Sequence, residues 1–208
     1  QTTIKPGENV KVFGDVKDTF QKLVDQGTAK IFFNDNTYKA DITNGRFEKE
    51  IETDSSIRSG KHLIKIIVED NLGNSGSGEL TFNVQPNVER IEIELNKEKF
   101  NPTEVVSINS LIFDQAGSLV IDDVSIEILD LNNKAIFSEV TKANNKISYS
   151  LAKFTNPGTY KIIVSAKNLK QESQFDVNEI INAEVSLENQ TLVIYNSGNV
   201  IYEKPVKV

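Results

Sequence analysis

Along most of the chain apolar and polar residues alternate with a period of two, the spacing of a strand with one face on a core. Ala29, Ile31 and Phe33 alternate with Lys30 and Phe32. Phe47, Lys49 and Ile51 oppose Glu48 and Glu50, and Leu80, Phe82 and Val84 oppose Thr81 and Asn83. The β-branched and aromatic side chains of these runs predict half-buried antiparallel strands. Asn44-Gly45 lies between residues 38–43 and 46–52; Asn-Gly accepts the positive φ that both central positions of a type I′ turn require, so a hairpin is predicted there. Residues 18–26 break the period. Phe20, Leu23 and Val24 stand three and four apart, after Asp18-Thr19 and before Gly27, which predicts one or two helical turns. Strands follow at 61–70 and 79–84 around a Gly- and Asn-rich stretch at 71–78, read as a flexible hairpin loop. Gln85-Pro86-Asn87 then ends the ladder, because proline has no amide to donate.

A second series opens with Ile91, Ile93 and Leu95 alternating against Glu92, Glu94 and Asn96. Strands are predicted at 105–113, 124–130, 135–140, 146–151, 159–167 and 171–177, separated by turns such as Asp114-Gln115-Ala116-Gly117 and Thr155-Asn156-Pro157-Gly158. Seven short strands with turns every eight to twelve residues describe an immunoglobulin-like sandwich. After Val177 the pattern restarts. Glu184-Val185-Ser186-Leu187 repeats the beat of Glu92-Ile93-Glu94-Leu95, followed by strand-like residues 190–195, a turn at Asn196-Ser197-Gly198-Asn199, and residues 200–208.

The two series are copies. Pro6-Gly7-Glu8-Asn9-Val10-Lys11-Val12 matches Pro102-Thr103-Glu104-Val105-Val106-Ser107-Ile108 at an offset of 96, and the stretch from Gly60 to Ile66 matches Gly158 to Val164 at an offset of 98. A near-constant offset of about 100 residues is the length of one small sandwich. The expected fold class is therefore all-β, tandem immunoglobulin-like β-sandwiches with the C-terminal one incomplete. The expected domains are 1–86, 87–179, and a tail at 180–208 that either opens a third sandwich or serves assembly. Ahead of Pro102 stands a strand at 91–95, while ahead of Pro6 stand only residues 1–5, so the first domain is expected to lack its opening strand.

Composition narrows the function classes. The 208 residues are 38% hydrophobic, enough for two cores, with a net charge of −7, which argues against a binder of nucleic-acid phosphates. No apolar run approaches the roughly 20 residues of a membrane-spanning helix, so no direct membrane insertion is expected. Cysteine, methionine and tryptophan are absent, which removes disulfides and thiolate metal sites; Gln1 is no translation start, so the sequence reads as processed or excised.

Gly158-Thr159-Tyr160-Lys161-Ile162-Ile163-Val164-Ser165-Ala166, with Asn101-Pro102-Thr103-Glu104 and Asp114-Gln115-Ala116-Gly117 before it, resembles the Ig-like repeats of prokaryotic surface proteins and the related macroglobulin-type sandwiches. The run from Gly60 to Asn74 is similar to the penultimate strand and Asp-x-x-Gly-Asn turn of bacterial and archaeal Ig-like repeats. Leu192-Val193-Ile194-Tyr195-Asn196-Ser197-Gly198-Asn199-Val200-Ile201-Tyr202 resembles adhesion-type domains of archaeal and bacterial cell-surface proteins. These resemblances imply the sandwich fold and an extracellular or cell-surface location. They carry no active site.

The residues themselves offer little chemistry. His62 is the only histidine, and its alignment with Tyr160 predicts a structural or simply exposed ring. Acidic groups at Asp122-Asp123, Asp15 with Asp18, and Asp70 with Asn71 lack the spacing of a calcium loop and read as solvated acids. The absence of tryptophan argues against a sugar-cleaving cleft, and the glycines of 73–78 precede no helix that could aim amides at a phosphate. Asn189-Gln190-Thr191 is the one unobstructed N-glycosylation triplet, because Asn101-Pro102-Thr103 has proline in the middle; Asn189 is therefore the glycosylation candidate. No catalytic residue, cofactor or metal ligand is expected. The sequence predicts a non-enzymatic segment of a surface protein, whether spacer stalk, adhesin, surface-layer or filament subunit, with a short Pro-containing joint at 85–88 limiting hinge freedom. The alternatives are accessory or binding domains of a secreted enzyme, or a glycan-binding module. Expected partners are proteins, including copies of this chain by head-to-tail strand exchange, with glycan as a further ligand class and no nucleic acid.

Overall fold

The structure is a computed structural model and describes residues 2–205. Residues 200–205, after the turn in the tail, form no strand, and residues 206–208 lie outside the described range. Every regular element among the described residues is a strand. By internal contacts the chain divides into one unit reaching to Asn87, joined by Asp114–Ser118, and a second comprising Val88–Phe113 and everything from Leu119 onward.

The first unit holds β1 (Thr2–Ile4), β2 (Val10–Asp15), β3 (Gln26–Phe33), β4 (Asn36–Thr43), β5 (Arg46–Ile51), β6 (Gly60–Asp70) and β7 (Ser75–Val84). Their order is β1-β7-β6-β3-β4-β5-β2, but β4 and β5 meet only at Thr43 and Arg46, across the predicted Asn44-Gly45 turn. Asn44 and Gly45 take φ of 51° and 75°, the positive values a type I′ turn demands. That single link lets the β2–β5 pair fold over the other five strands. Val10, Val12, Phe47 and Ile51 thus share one core with Ala29, Ile31, Phe33, Ile64, Phe82 and Val84.

The second unit holds β8 (Val88–Leu95), β9 (Lys99–Phe100), β10 (Val105–Asp114), β11 (Asp123–Leu129), β12 (Ala135–Lys142), β13 (Ile147–Ser150), β14 (Gly158–Ala166) and β15 (Leu169–Val177). They form two sheets, β13-β10-β8 and β12-β11-β14-β15-β9. Val106, Ile108 and Ile112 of β10 enclose one core with Ile126, Ile128, Ile162, Val164 and Phe175 of the other sheet. This is the immunoglobulin-like sandwich in both topology and packing. A two-stranded hairpin, β16 (Ala183–Glu188) with β17 (Thr191–Asn196), follows within the same compact unit.

Two expectations are corrected. Residues 18–26 form no helix: Lys17 bridges Leu23, and Asp18 Oδ1 accepts the amides of Phe20 and Lys22 at 2.8 and 2.9 Å. A side chain that takes those amides competes with helical bonding, and Gln21 at a φ of 66° ends any helical path. Residues 75–78 are not loop but the start of β7, paired with β6, so the hairpin loop is only Asn71–Asn74. The first unit begins with a short strand, β1, that answers to β9. β1 pairs in parallel with β7, as β9 does with β15, and Ile4 stands where Phe100 does in the repeat. The strand at 91–95 belongs to β8, a different strand, and among the described residues the first unit has no counterpart of it beside β2.

Candidate interaction edges

The duplication extends to individual hydrogen bonds. Lys5-Pro6-Gly7-Glu8 and Asn101-Pro102-Thr103-Glu104 both close a turn from the fourth amide to the first carbonyl, at 3.1 and 3.2 Å. In both, the glutamate carboxylate also accepts the first residue's amide, at 2.7 Å in Glu8 and 2.6 Å in Glu104. Lys97 Nζ also donates to Glu104 at 2.6 Å, and it first, with the Asn101 amide second, holds that carboxyl below its ordinary value. The Lys17–Leu23 bridge recurs as Phe113–Leu119, and the bond from Val24 N to Val16 O recurs from Val120 N to Ile112 O, each at 3.0 Å.

His62 fits this frame. Its Nε2 lies 2.7 Å from the Arg58 carbonyl, which can only accept, so that nitrogen carries the hydrogen. Its ring stacks on Phe82 with centroids 5.4 Å apart. Tyr160 does the same two things: its hydroxyl donates to the Asn156 carbonyl at 3.0 Å, and its ring stacks on Phe175 at 5.4 Å. Each ring bonds a carbonyl four residues upstream and packs on its cross-strand phenylalanine. Burial, chiefly, raises the Tyr160 pKa.

The acidic groups are dispersed into separate partnerships. Asp122 meets Lys167 at 3.2 Å, Asp123 meets Lys142 at 2.8 Å, and Asp15 meets Arg46 at 3.1 Å. Asp18 and Asp70 bond the amides of their own loops. Among the described residues no three acidic or histidine side chains converge in a metal-holding arrangement.

Two of the features that present backbone or apolar surface bear on assembly. The first is the β2 edge. Among the described residues β2 pairs with β5 alone, and Phe13 on it is 70% exposed. The second is the β16–β17 hairpin, whose Val185, Leu187, Leu192 and Ile194 are all exposed. This hairpin is anchored by Asn199, one of three buried polar residues among those described. Asn199 Nδ2 donates to the carbonyls of Thr155 and Asn178 at 2.8 and 2.9 Å, and Oδ1 accepts the Ile180 amide at 2.6 Å. Gly198 fits against this latch because a Cβ there would lie 2.0 Å from the Ile180 carbonyl oxygen. Sequence reasoning placed a turn here and missed the latch, since a buried asparagine is distinguished from a turn asparagine only by what it reaches. Asn189 lies at the opposite end of the hairpin. It is exposed, with a φ of 46°, and forms with Gln190 the two-residue turn between Glu188 and Thr191.

No family model and no curated protein matches the sequence. Among solved structures, the Yersinia pseudotuberculosis adhesin InvE is 14% identical over 88% of this chain and 58% of its own, with a TM-score of 0.40. A tetra-tandem repeat from the extending region of a large adhesion protein is 13% identical over 88% and 52%, with a TM-score of 0.44. The fibronectin(III)-like modules of Clostridium thermocellum CbhA are 14% identical over 85% and 87%, with a TM-score of 0.31. The chain thus spans little more than half the length of the two adhesion proteins. Its own strand pairing, set out above, defines the fold.

Proposed function

We propose that this chain is a non-enzymatic structural and interaction segment of an extracellular surface protein, acting as a spacer or adhesive stalk or as a unit of a surface layer or filament. The observation that carries the reading is the duplication of a self-contained sandwich, repeated at an offset of 96 down to single hydrogen bonds. Each copy has its own core, so length is added by repeating a unit that resists unfolding by itself. Pulling the chain between its ends is expected to give two separate unfolding events, each releasing roughly 300 Å at about 3.4 Å per residue. A single rupture releasing the whole length would overturn the modular reading. On source cells, an antibody against the chain is expected to label intact cells; labelling only after lysis would overturn the surface location.

Asn189 is the glycan acceptor in this reading, supported by its exposure at a hairpin tip. A glycan mass on the natural protein that disappears in Asn189→Gln tests it.

A further inference from the structure

β2 has one neighbour where its counterpart in the repeat has two. β10 lies between β13 and β8, whereas β2 pairs with β5 alone among the described residues. The way β8 sits on β10 is defined by side chains. Asn109 Nδ2 donates to Glu94 Oε2 at 2.9 Å, the Ser107 amide donates to Asn96 Oδ1 at 2.9 Å, and the Asn96 amide donates to the Ser107 carbonyl at 3.2 Å. Glu94 beside Asn109 and Asn96 beside Ser107 make the pairing antiparallel. In the first unit the places of Asn109 and Ser107 are taken by Phe13 and Lys11.

The chain carries a second strand of the β8 kind. β16 contains Glu184-Val185-Ser186-Leu187, in step with Glu92-Ile93-Glu94-Leu95 of β8. Ile93 and Leu95 pack against the second unit's core, but their matches Val185 and Leu187 are 47% and 74% exposed. Among the described residues β16 pairs with β17 on one side only, so its other edge is open and needs no unfolding to accept a partner.

We propose that β16 of one copy adds, antiparallel, to the open edge of β2 in a second copy, in the register that β8 takes on β10. That register sets Leu187 beside Val12 and Val185 beside Gly14, on the face that carries the first unit's core. On the outer face it sets Ser186 beside Phe13 and Glu188 beside Lys11. Lys11 already meets Glu48 at 2.6 Å, and an ammonium with three hydrogens bridges both carboxylates. Glu184 falls beside Asp15, whose charge Arg46 offsets. Backbone bonds supply the attraction, and the Lys11–Glu188 pair fixes the register. The proposal rests on the reading of the chain as an assembling surface segment and names its partner, a second copy.

The test is sedimentation velocity of the whole chain over a wide concentration range, with Lys11→Glu, Glu188→Lys and the double variant. The expected result is concentration-dependent association, weakened about tenfold by each single reversal and restored by the double. A chain that stays monomeric at its highest soluble concentration would overturn the proposal, as would single reversals that leave association unchanged or a double that fails to restore it. Thermal melts of each variant show that it is folded. Loss of self-association would leave the two mechanical unfolding events untouched, so the two readings fail separately.

Discussion

At the scale of single residues, the two copies disagree instructively at one turn. Gly7 and Thr103 occupy the same third position, with φ of 80° and 72°. Glycine enters that region without penalty, whereas a β-branched side chain crowds the backbone there. Proline precedes both, and glutamate follows to hold the turn closed, so Thr103 is kept in place by its neighbours. Thr103→Gly is therefore expected to stabilise the second unit by about 1 kcal/mol, read as a higher midpoint in urea unfolding. An unchanged or lower midpoint would mean the threonine is not strained there. Asn199 makes the opposite point. Three hydrogen bonds at 2.6 to 2.9 Å converge on one side chain, a local richness that its turn-like sequence context, Asn-Ser-Gly-Asn, conceals.

At the scale of elements, a single loop design joins or extends strands four times, at Asp18–Lys22, Asp70–Asn74, Asp114–Ser118 and Asp130–Lys134. In each, the aspartate Oδ1 accepts the amides two and four residues on, all at 2.8 or 2.9 Å, and the fourth residue has a positive φ. That fourth residue is Gln21, Gly73, Gly117 or Asn133. Where it is glycine or asparagine the turn was legible in the sequence; where it is Gln21, apolar spacing suggested a helix. Strands were legible because one buried face writes a period of two, and the Asn-Gly hairpin because its backbone demands those residues. The start of β7 was not, since Ser75, Gly76, Ser77 and Gly78 have no apolar side to show, yet pair along β6. Glycine in such strands has two meanings. A Cβ on Gly27 would stand 2.4 Å from the Glu69 carbonyl oxygen, across the central β3–β6 pair, while one on Gly78 meets nothing within 4 Å. Gly27→Ala is expected to cost about 2–4 kcal/mol by prising those strands apart, and Gly78→Ala to be neutral or slightly stabilising. Equal effects in chemical denaturation would contradict this account of the close approach.

For the whole molecule, acidic residues outnumber basic ones, 30 to 23, and the structure holds several of the acids in their charged form. Asp54 is kept below its ordinary value by the Ser56 amide and hydroxyl, and Asp70 by the Asn74 side chain and its own loop amides. Glu104 is lowered by Lys97 and the Asn101 amide, and Asp122 by the Asp123 amide and Lys167. A carboxyl that is more acidic folded than unfolded favours the folded state while both forms are ionised. That contribution is lost as the pH falls from the unfolded values, 4.5 for Glu104 and 3.8 for the aspartates, through the lower folded ones. Lys142, raised above 10.5 by its hydrogen bond to Asp123, works on the other side: its contribution is present below the unfolded value and lost as the pH rises through the folded one. The melting temperature is therefore expected to hold a plateau between these limits and to fall below about pH 4.5 and above about 10.5. Because these side chains are exposed or half-buried and none is buried, each adds a shallow slope that salt screens, in contrast to the steep loss a buried ion pair would give. Glu104→Gln should flatten part of the acid limb alone and Lys142→Met part of the alkaline limb alone. An acid limb unaltered in Glu104→Gln would place the responsible protons on other carboxylates, and a plateau that slopes throughout would contradict the assignment of charge partners.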